Sequence, residues 1–320
     1  MIPNDRRVEG FTFVENGTTV AKLPRGYLER GLLITGAGLD TISVAGSAVR
    51  ARGTPIRRIS LLADNGKVLH AVVPADLIRE QEYYEQMALA ALVSPPPAAT
   101  VAAHAFSFAI PLPFTEPMAA LGNMTALPTW IYQELTLVID WGGHAELVVG
   151  GTGVVTMSAV GLTALGIEED FSALGPDANA WGRKMGRAIR AYLQVAAPAA
   201  ATSEFNIDIP RSSEIRSLTI ITEDADGQPT NAILNAATLL LNNSRMQIAR
   251  KSAAAIRADN AKVFGISPPT GVYVLEFAED RDISDVLVAT ALADLKLILD
   301  VTAVAGTIRV FQKRLEPGPG

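Results

Sequence analysis

Leu135, Leu137 and Ile139 interleave with Glu134, Thr136 and Val138, and Ile56, Ile59 and Leu61 stand among Arg57, Arg58 and Ser60. A period of two marks an extended strand with one buried face, because successive side chains point to opposite sides of the pleat. The same texture runs through Tyr27–Thr35, Thr41–Val49, Ile56–Ala63, Lys67–Val73, Ala102–Ile110, Gln133–Trp141 and Val154–Val160, divided by Gly, Pro, Asp and Asn. These strands are not separated by regular helices. That excludes a parallel α/β sheet, whose crossovers need a helix each, and predicts an all-β sandwich or barrel.

Helical patterning is confined to two places. Pro74 to Leu92 opens with proline and Asp76, carries Leu77, Tyr84 and Met87 at helical spacing, and stops against Ser94-Pro95-Pro96-Pro97. Arg245 to Asp259 is rich in Ala, Arg and Lys and predicts a second helix.

The 320 residues are enough for two domains, and an internal repeat points the same way. Ile56–Leu62 is echoed by Ile215–Ile221, and Glu134–Asp140 by Asp294–Asp300, at offsets of 159 and 160 residues. Between them each half has a helix and an apolar strand, His104–Ile110 and Gly271–Phe277. A closing strand follows in each, Gly153–Ala159 and Gly306–Phe311. Glu168-Glu169-Asp170 and Gly175-Pro176-Asp177 interrupt the apolar pattern between the halves. The expected division is an N-terminal arm (1–25), a first barrel (26–167), a linker (168–184), a second barrel (185–315) and a tail (316–320).

Composition excludes several classes. Apolar residues make up 49% and charged residues 19%, which supports packed cores and not disorder. A net charge of −6 argues against sequence-specific or general nucleic-acid binding, which needs clustered cations. With no cysteine, disulfides, thiolate nucleophiles and Cys-ligated zinc are excluded. The N-terminus MIPNDRRVEGF lacks the apolar core of a signal peptide. Leu147 to Ile167 is uncharged and long enough to span a membrane as a helix. Its glycines and β-branched valines predict a buried hairpin instead, with Gly150-Gly151-Thr152-Gly153 as the turn.

No catalytic residue, cofactor site or metal site is expected. His70, His104 and His144 are scattered, without metal-ligand spacing. Gly36-Ala37-Gly38 begins like a dinucleotide fingerprint, but Thr41 replaces its third glycine and the segment reads as a turn. Glu223-Asp224-Ala225-Asp226-Gly227 lacks the closing Glu of a calcium loop, Asn235 standing in its place. With Glu279–Asp282 it reads as polar turn. Two basic groups stand out: Arg6, Arg7, Lys22, Arg25, Arg30, Arg50, Arg52, Arg57 and Arg58 within residues 1–60, and Arg183, Lys184, Arg187 and Arg190 beside Trp181. Such groups are a solvated surface or a face toward anionic lipid.

Residues 23–160 resemble the N-terminal jelly-roll domain of the corticovirus major coat protein, from a group of membrane-containing icosahedral phages. The likeness rests on LPRGYLERGLLITG, IRRISLLADNGKVLHAV, PADLIREQEYY and AFSFAIPLPFTEP. It implies a double jelly roll of two consecutive eight-stranded sandwiches, each with one short helical insertion. It further implies a major capsid protein without enzymatic activity, located in the virion shell after assembly in the host cytoplasm. The partners implied are two further copies in a pseudo-hexagonal homotrimer, neighbouring capsomers, minor capsid proteins and an internal lipid membrane. The competing class is a carbohydrate-binding or glycoside-processing β-sandwich, which would need exposed aromatics or a carboxylate-lined cleft. Trp130, Trp141 and Trp181 are the tryptophans available for it.

Overall fold

The computed structural model describes residues 3–8, 11–42, 48–49, 54–64, 66–84, 102–115, 126–143, 146, 148–149, 155–170, 188–196, 200–225, 227–242, 246–277, 286–302 and 305–316. The chain divides into two compact units, Met1–Ile189 with Pro317–Gly320, and Arg190–Glu316.

In the first unit one sheet runs β1 (Pro3–Val8), β11 (Val155–Asp170), β3 (Tyr27–Ile42), β7 (Ala102–Pro113), with the short β8 (Leu127–Pro128) also on β3. The second sheet runs β2 (Thr18–Lys22), β9 (Leu135–Trp141), β5 (Ile56–Ala63), β6 (Lys67–Val72). A separate pair joins β4 (Ala48–Val49) to β10 (Val148–Val149), and helix α1 (Pro74–Tyr84) follows β6. Pairing along the four-stranded sheets is antiparallel.

The second unit repeats this plan. One sheet runs β12 (Ala188–Ala196), β19 (Gly306–Glu316), β14 (Glu214–Asp224), β17 (Val272–Glu276). The other runs β13 (Thr202–Asp208), β18 (Leu295–Val301), β15 (Leu234–Leu241), β16 (Met246–Ser252). Helix α2 (Ala253–Phe264) follows β16, as α1 follows β6. Taking the two four-stranded sheets of each unit, the sequence-ordered strands sit first-eighth-third-sixth in one and second-seventh-fourth-fifth in the other. That is the jelly roll, twice.

Alternation builds both cores. Leu135, Leu137, Ile139 and Trp141 are buried on β9, as Leu295, Leu297, Leu299 and Val301 are on β18, while the residues between them are half-buried. Opposite them Phe106, Phe108, Ile110 and Leu112 fill the first core, and Ile215, Leu218, Ile220, Ile308 and Val310 the second. Each fully buried side chain of this kind contributes about 1.5–3 kcal/mol.

Several expectations are corrected. Ile56–Leu62 and Ile215–Ile221 are not equivalent: the first lies on β5, fourth strand of its barrel, the second on β14, third strand of its own. Two apolar strands with basic residues look alike in sequence whatever their sheet. The Glu134–Asp140 and Asp294–Asp300 pair does match, as do His104–Ile110 with Gly271–Phe277 and the closing strands. The second helix starts at Ala253, after a strand over Met246–Ser252. Ser252 fixes that start by accepting the N–H of Ala255 on its side chain, and Gly265, in the left-handed region, ends the helix. The first helix is described as far as Tyr84; the rest of its expected length lies outside the described residues.

Gly36-Ala37-Gly38 is not a turn but lies within β3. Gly36 pairs with Phe108, and a Cβ on Gly36 would stand 2.2 Å from the Phe108 ring tip. The glycine makes room for the ring. The N-terminal 25 residues are not a free arm, since Pro3–Val8 pairs with β11 and Thr18–Lys22 with β9. Strand β11 extends to Asp170, into the expected linker. Val148–Val149 and Val155–Asp170 do not form a hairpin: the former pairs with β4, the latter with β1 and β3. The intended turn, Gly150–Gly153, lies outside the described residues. Among the described residues, no helix is long and apolar enough to cross a membrane.

Candidate assembly surface

An edge strand offers unpaired N–H and C=O groups to any other chain, so a stable sheet covers its edges. In the second barrel, β17 is an edge strand whose open side is covered by α2. Asn260, buried, accepts the Val274 N–H at 2.9 Å and donates to the Val274 carbonyl at 2.7 Å. The amide side chain thus replaces a missing strand and blocks stray edge pairing. Arg257 secures the following loop by donating to the carbonyls of Pro268, Pro269 and Val272.

The same barrel buries charge on the outer face of its β19–β14–β17 sheet. Arg309 and Glu223 pair at 2.7 Å and Arg216 and Glu276 at 3.3 Å, with all four side chains under 7% exposed. Breaking one partner of such a pair leaves the other charge stranded, a cost of about 3–5 kcal/mol.

The end of each barrel is clamped in the same way. Arg25 donates to the carbonyl of Tyr132 at 2.9 Å, just past the 3-10 turn Thr129–Ile131; Arg211 donates to the carbonyls of Leu292 and Ala293, just past the turn Ala289–Ala291. A sequence signal for this pair exists, Leu23-Pro24-Arg25 against Ile209-Pro210-Arg211, but the repeat read from strand patterns passes over it because it lies between strands.

Among the described residues of the first unit, the exposed large apolar side chains are Val14, Val20 and Leu39, and Val20 lies on the outer face of the β2–β9–β5 sheet. Val20 is 56% exposed and pairs with Val138, which pairs in turn with Ser60; Lys22 and Leu62 flank Thr136, and Asp140 lies between Thr18 and Arg58. The equivalent face of the second barrel has Ile298 between Asn206 and Thr238, Lys296 between Asp208 and Leu240, and Asp300 beside Ala236.

The chemistry-bearing residues singled out in the sequence do not converge. His70 is buried against Phe114 at 4.9 Å between ring centroids, His104 lies on β7, and His144 lies outside the described residues. Among the described residues no group of three or more metal-ligating side chains comes together. Asp224 closes a turn, its carboxylate accepting the Gln228 N–H at 2.8 Å, and Glu223 is spent on Arg309. Asp226 and Glu279–Asp282 lie outside the described residues. A cavity of about 180 Å³ beneath α2 is lined largely by Leu239, Ile256, Val263 and Phe277, and its Lys251 and Asp259 pair with each other at 2.6 Å.

Of the basic residues, Arg57 binds Glu146 at 2.9 Å and Asn16 at 2.7 Å, Lys22 binds Glu134 at 2.8 Å, and Arg58 donates to Ser60. Arg50, Arg52, Arg183, Lys184, Arg187 and Trp181 lie outside the described residues. Trp141 is buried, donating to Thr19, and Trp130 packs beside Leu28 and Ala126, so neither is a sugar-stacking platform. Burial raises the Tyr273 phenol above its ordinary range, partly offset by the nearby Arg257 cation.

Comparison with known proteins agrees with this geometry. Residues 189–318 match the family model of the viral coat protein P2 C-terminal domain. The fold is similar to that of the major capsid protein of Sulfolobus Turreted Icosahedral Virus, with a TM-score of 0.74 at 12% identity over 99% of this chain and 97% of that one. It is similar also to the major capsid protein P2 of bacteriophage PM2, at 0.62 and 14% over 98% of both chains. The PBCV-1 virus capsid gives 0.66 and 10%, over 98% of this chain and 93% of that one. No curated protein sequence matches the chain. Residues 189–318 are therefore similar to the viral coat protein P2 C-terminal domain, and the chain as a whole has a double jelly-roll fold like that of these viral capsid proteins.

Proposed function

We propose that this chain is the major capsid subunit of an icosahedral phage that encloses a lipid membrane, and that three copies close into a pseudo-hexagonal capsomer. The observation that carries the reading is the duplicated strand order of the two barrels. Two near-equivalent barrels per chain give six in a threefold ring, so a trimer fits a hexagonal lattice position without sixfold sequence symmetry. Among the described residues, the polar side chains traced above serve turns, caps and internal pairs, which suits a shell subunit. Neighbouring capsomers and minor capsid proteins are the further partners. The membrane contact would fall to the basic N-terminal segment, whose Arg6 and Arg7 stand on the edge strand β1. Imaging of purified particles tests the reading. Threefold capsomers of this chain over a bilayer support it; a minor spike position or a naked shell contradicts it.

A further inference from the structure

We infer that the cavity beneath α2 is a binding site for a small uncharged hydrocarbon, about the size of one benzene ring. The site lies within the second barrel and is independent of how copies assemble.

The cavity of about 180 Å³ is walled by Ala237 and Leu239 of β15, Ile256 and Val263 of α2, and Leu275 and Phe277 at the end of β17. Its polar side chains are already engaged. Lys251 and Asp259 pair at 2.6 Å, Glu276 pairs with Arg216 at 3.3 Å, and the Asn260 amide is spent on both backbone groups of Val274. A buried water needs about two to four polar partners, and these side chains are committed elsewhere. Water that strays in is poorly held, so an apolar guest gains by displacing it. A cavity of this size with such a lining takes up molecules as large as benzene. Lys251 and Asp259, 43% and 51% exposed, stand on its solvent side, and their charges cancel. A guest passes a neutral rim and then meets apolar side chains. A charged guest would lose its hydration with no free counter-charge inside. The walls are α2 and the strand edge that it covers, so an occupant ties the two together. Occupancy therefore secures the Asn260 cover over β17 and raises the stability of the second barrel.

Benzene titrated into the purified full-length chain is the probe, followed by methyl carbon–proton spectra and by thermal melts. Saturable shifts are expected at the methyls of Leu239, Ile256, Val263 and Leu275. Those of Val20 and Val288, 56% and 50% exposed, should not move. The melting transition should rise with benzene. Benzoate and benzylammonium should bind at least about tenfold more weakly, because each carries a charge into a dry pocket. Val263→Phe fills the space from the helix side and should abolish the shifts. Leu239→Ala enlarges it and should admit naphthalene, which the wild type excludes. The absence of any saturable shift, equal shifts at the exposed valines, or benzoate binding as tightly as benzene overturns the inference. So does benzene binding that persists in folded Val263→Phe. The wild-type titration stands even where a variant fails to fold.

Discussion

Asp64 and Asn242 occupy the same position in the two barrels: each has positive φ, 28° and 51°, and each offers its side-chain oxygen to the backbone that begins the neighbouring strand. Asp64 accepts the N–H groups of Gln133 at 2.6 Å and Glu134 at 2.9 Å; Asn242 accepts that of Ala293 at 2.8 Å. A short polar side chain that tolerates the left-handed region can end one strand and start another at once. Asp64→Ala removes both hydrogen bonds and keeps the strained backbone, so it should destabilise the first barrel by about 1–3 kcal/mol. Asp64→Asn should lose less than half of that. Urea denaturation of the two variants compares them directly, and equal losses would contradict the role.

Gly36 and Phe108 predict a packing cycle. A Cβ at Gly36 meets the buried ring of Phe108 at 2.2 Å, so Gly36→Ala should cost about 1–3 kcal/mol through overpacking. In a Phe108→Leu background the same change should cost markedly less. The coupling measured by the double-mutant cycle checks it, and additivity would show that the ring does not fill the glycine's space.

Asn260 predicts an effect on both stability and solubility. Asn260→Leu keeps the volume but leaves the N–H and carbonyl of Val274 without their buried partners, a loss of about 2–4 kcal/mol. It also uncovers the edge of β17. Thermal melts and light scattering should show a lower transition and more aggregation than for a change at the exposed Lys251.

Tyr273 predicts a dependence at alkaline pH. Burial raises its pKa in the fold above the ordinary 10.0, so the unfolded chain releases the proton first. The contribution is fully present below about pH 10 and is lost as pH rises through the folded value. Between about pH 9 and 11, Tyr273→Phe should therefore lose stability less steeply than the wild type. Parallel slopes would contradict it.

The all-β class was legible because alternation survives in single strands: Ile56–Ala63 was bounded correctly from sequence, and Leu135–Trp141 was found within two residues. The pairing of Leu135–Ile139 with Leu295–Leu299 was legible for the same reason. Strand rank was not. Ile215–Ile221 has the composition of Ile56–Leu62, but the loops between strands differ in length in the two halves: β9 to β11 spans residues 142–154, against 302–305 between β18 and β19. A constant offset therefore cannot hold along the whole barrel. The Met246–Ser252 strand was hidden because its Ala, Arg and Lys residues favour a helix, and pairing with β15 overrides that preference. The edge cover by Asn260 and the clamps by Arg25 and Arg211 join residues far apart in sequence, so no local pattern names their partners.

In the proposed capsomer, two barrels per chain make a ring of six from three chains. Light scattering coupled to size-exclusion chromatography of the purified protein measures it most directly. A stable species of three times the 33.8 kDa chain mass is expected. A chain that stays monomeric at high concentration, or closes as a dimer, contradicts it.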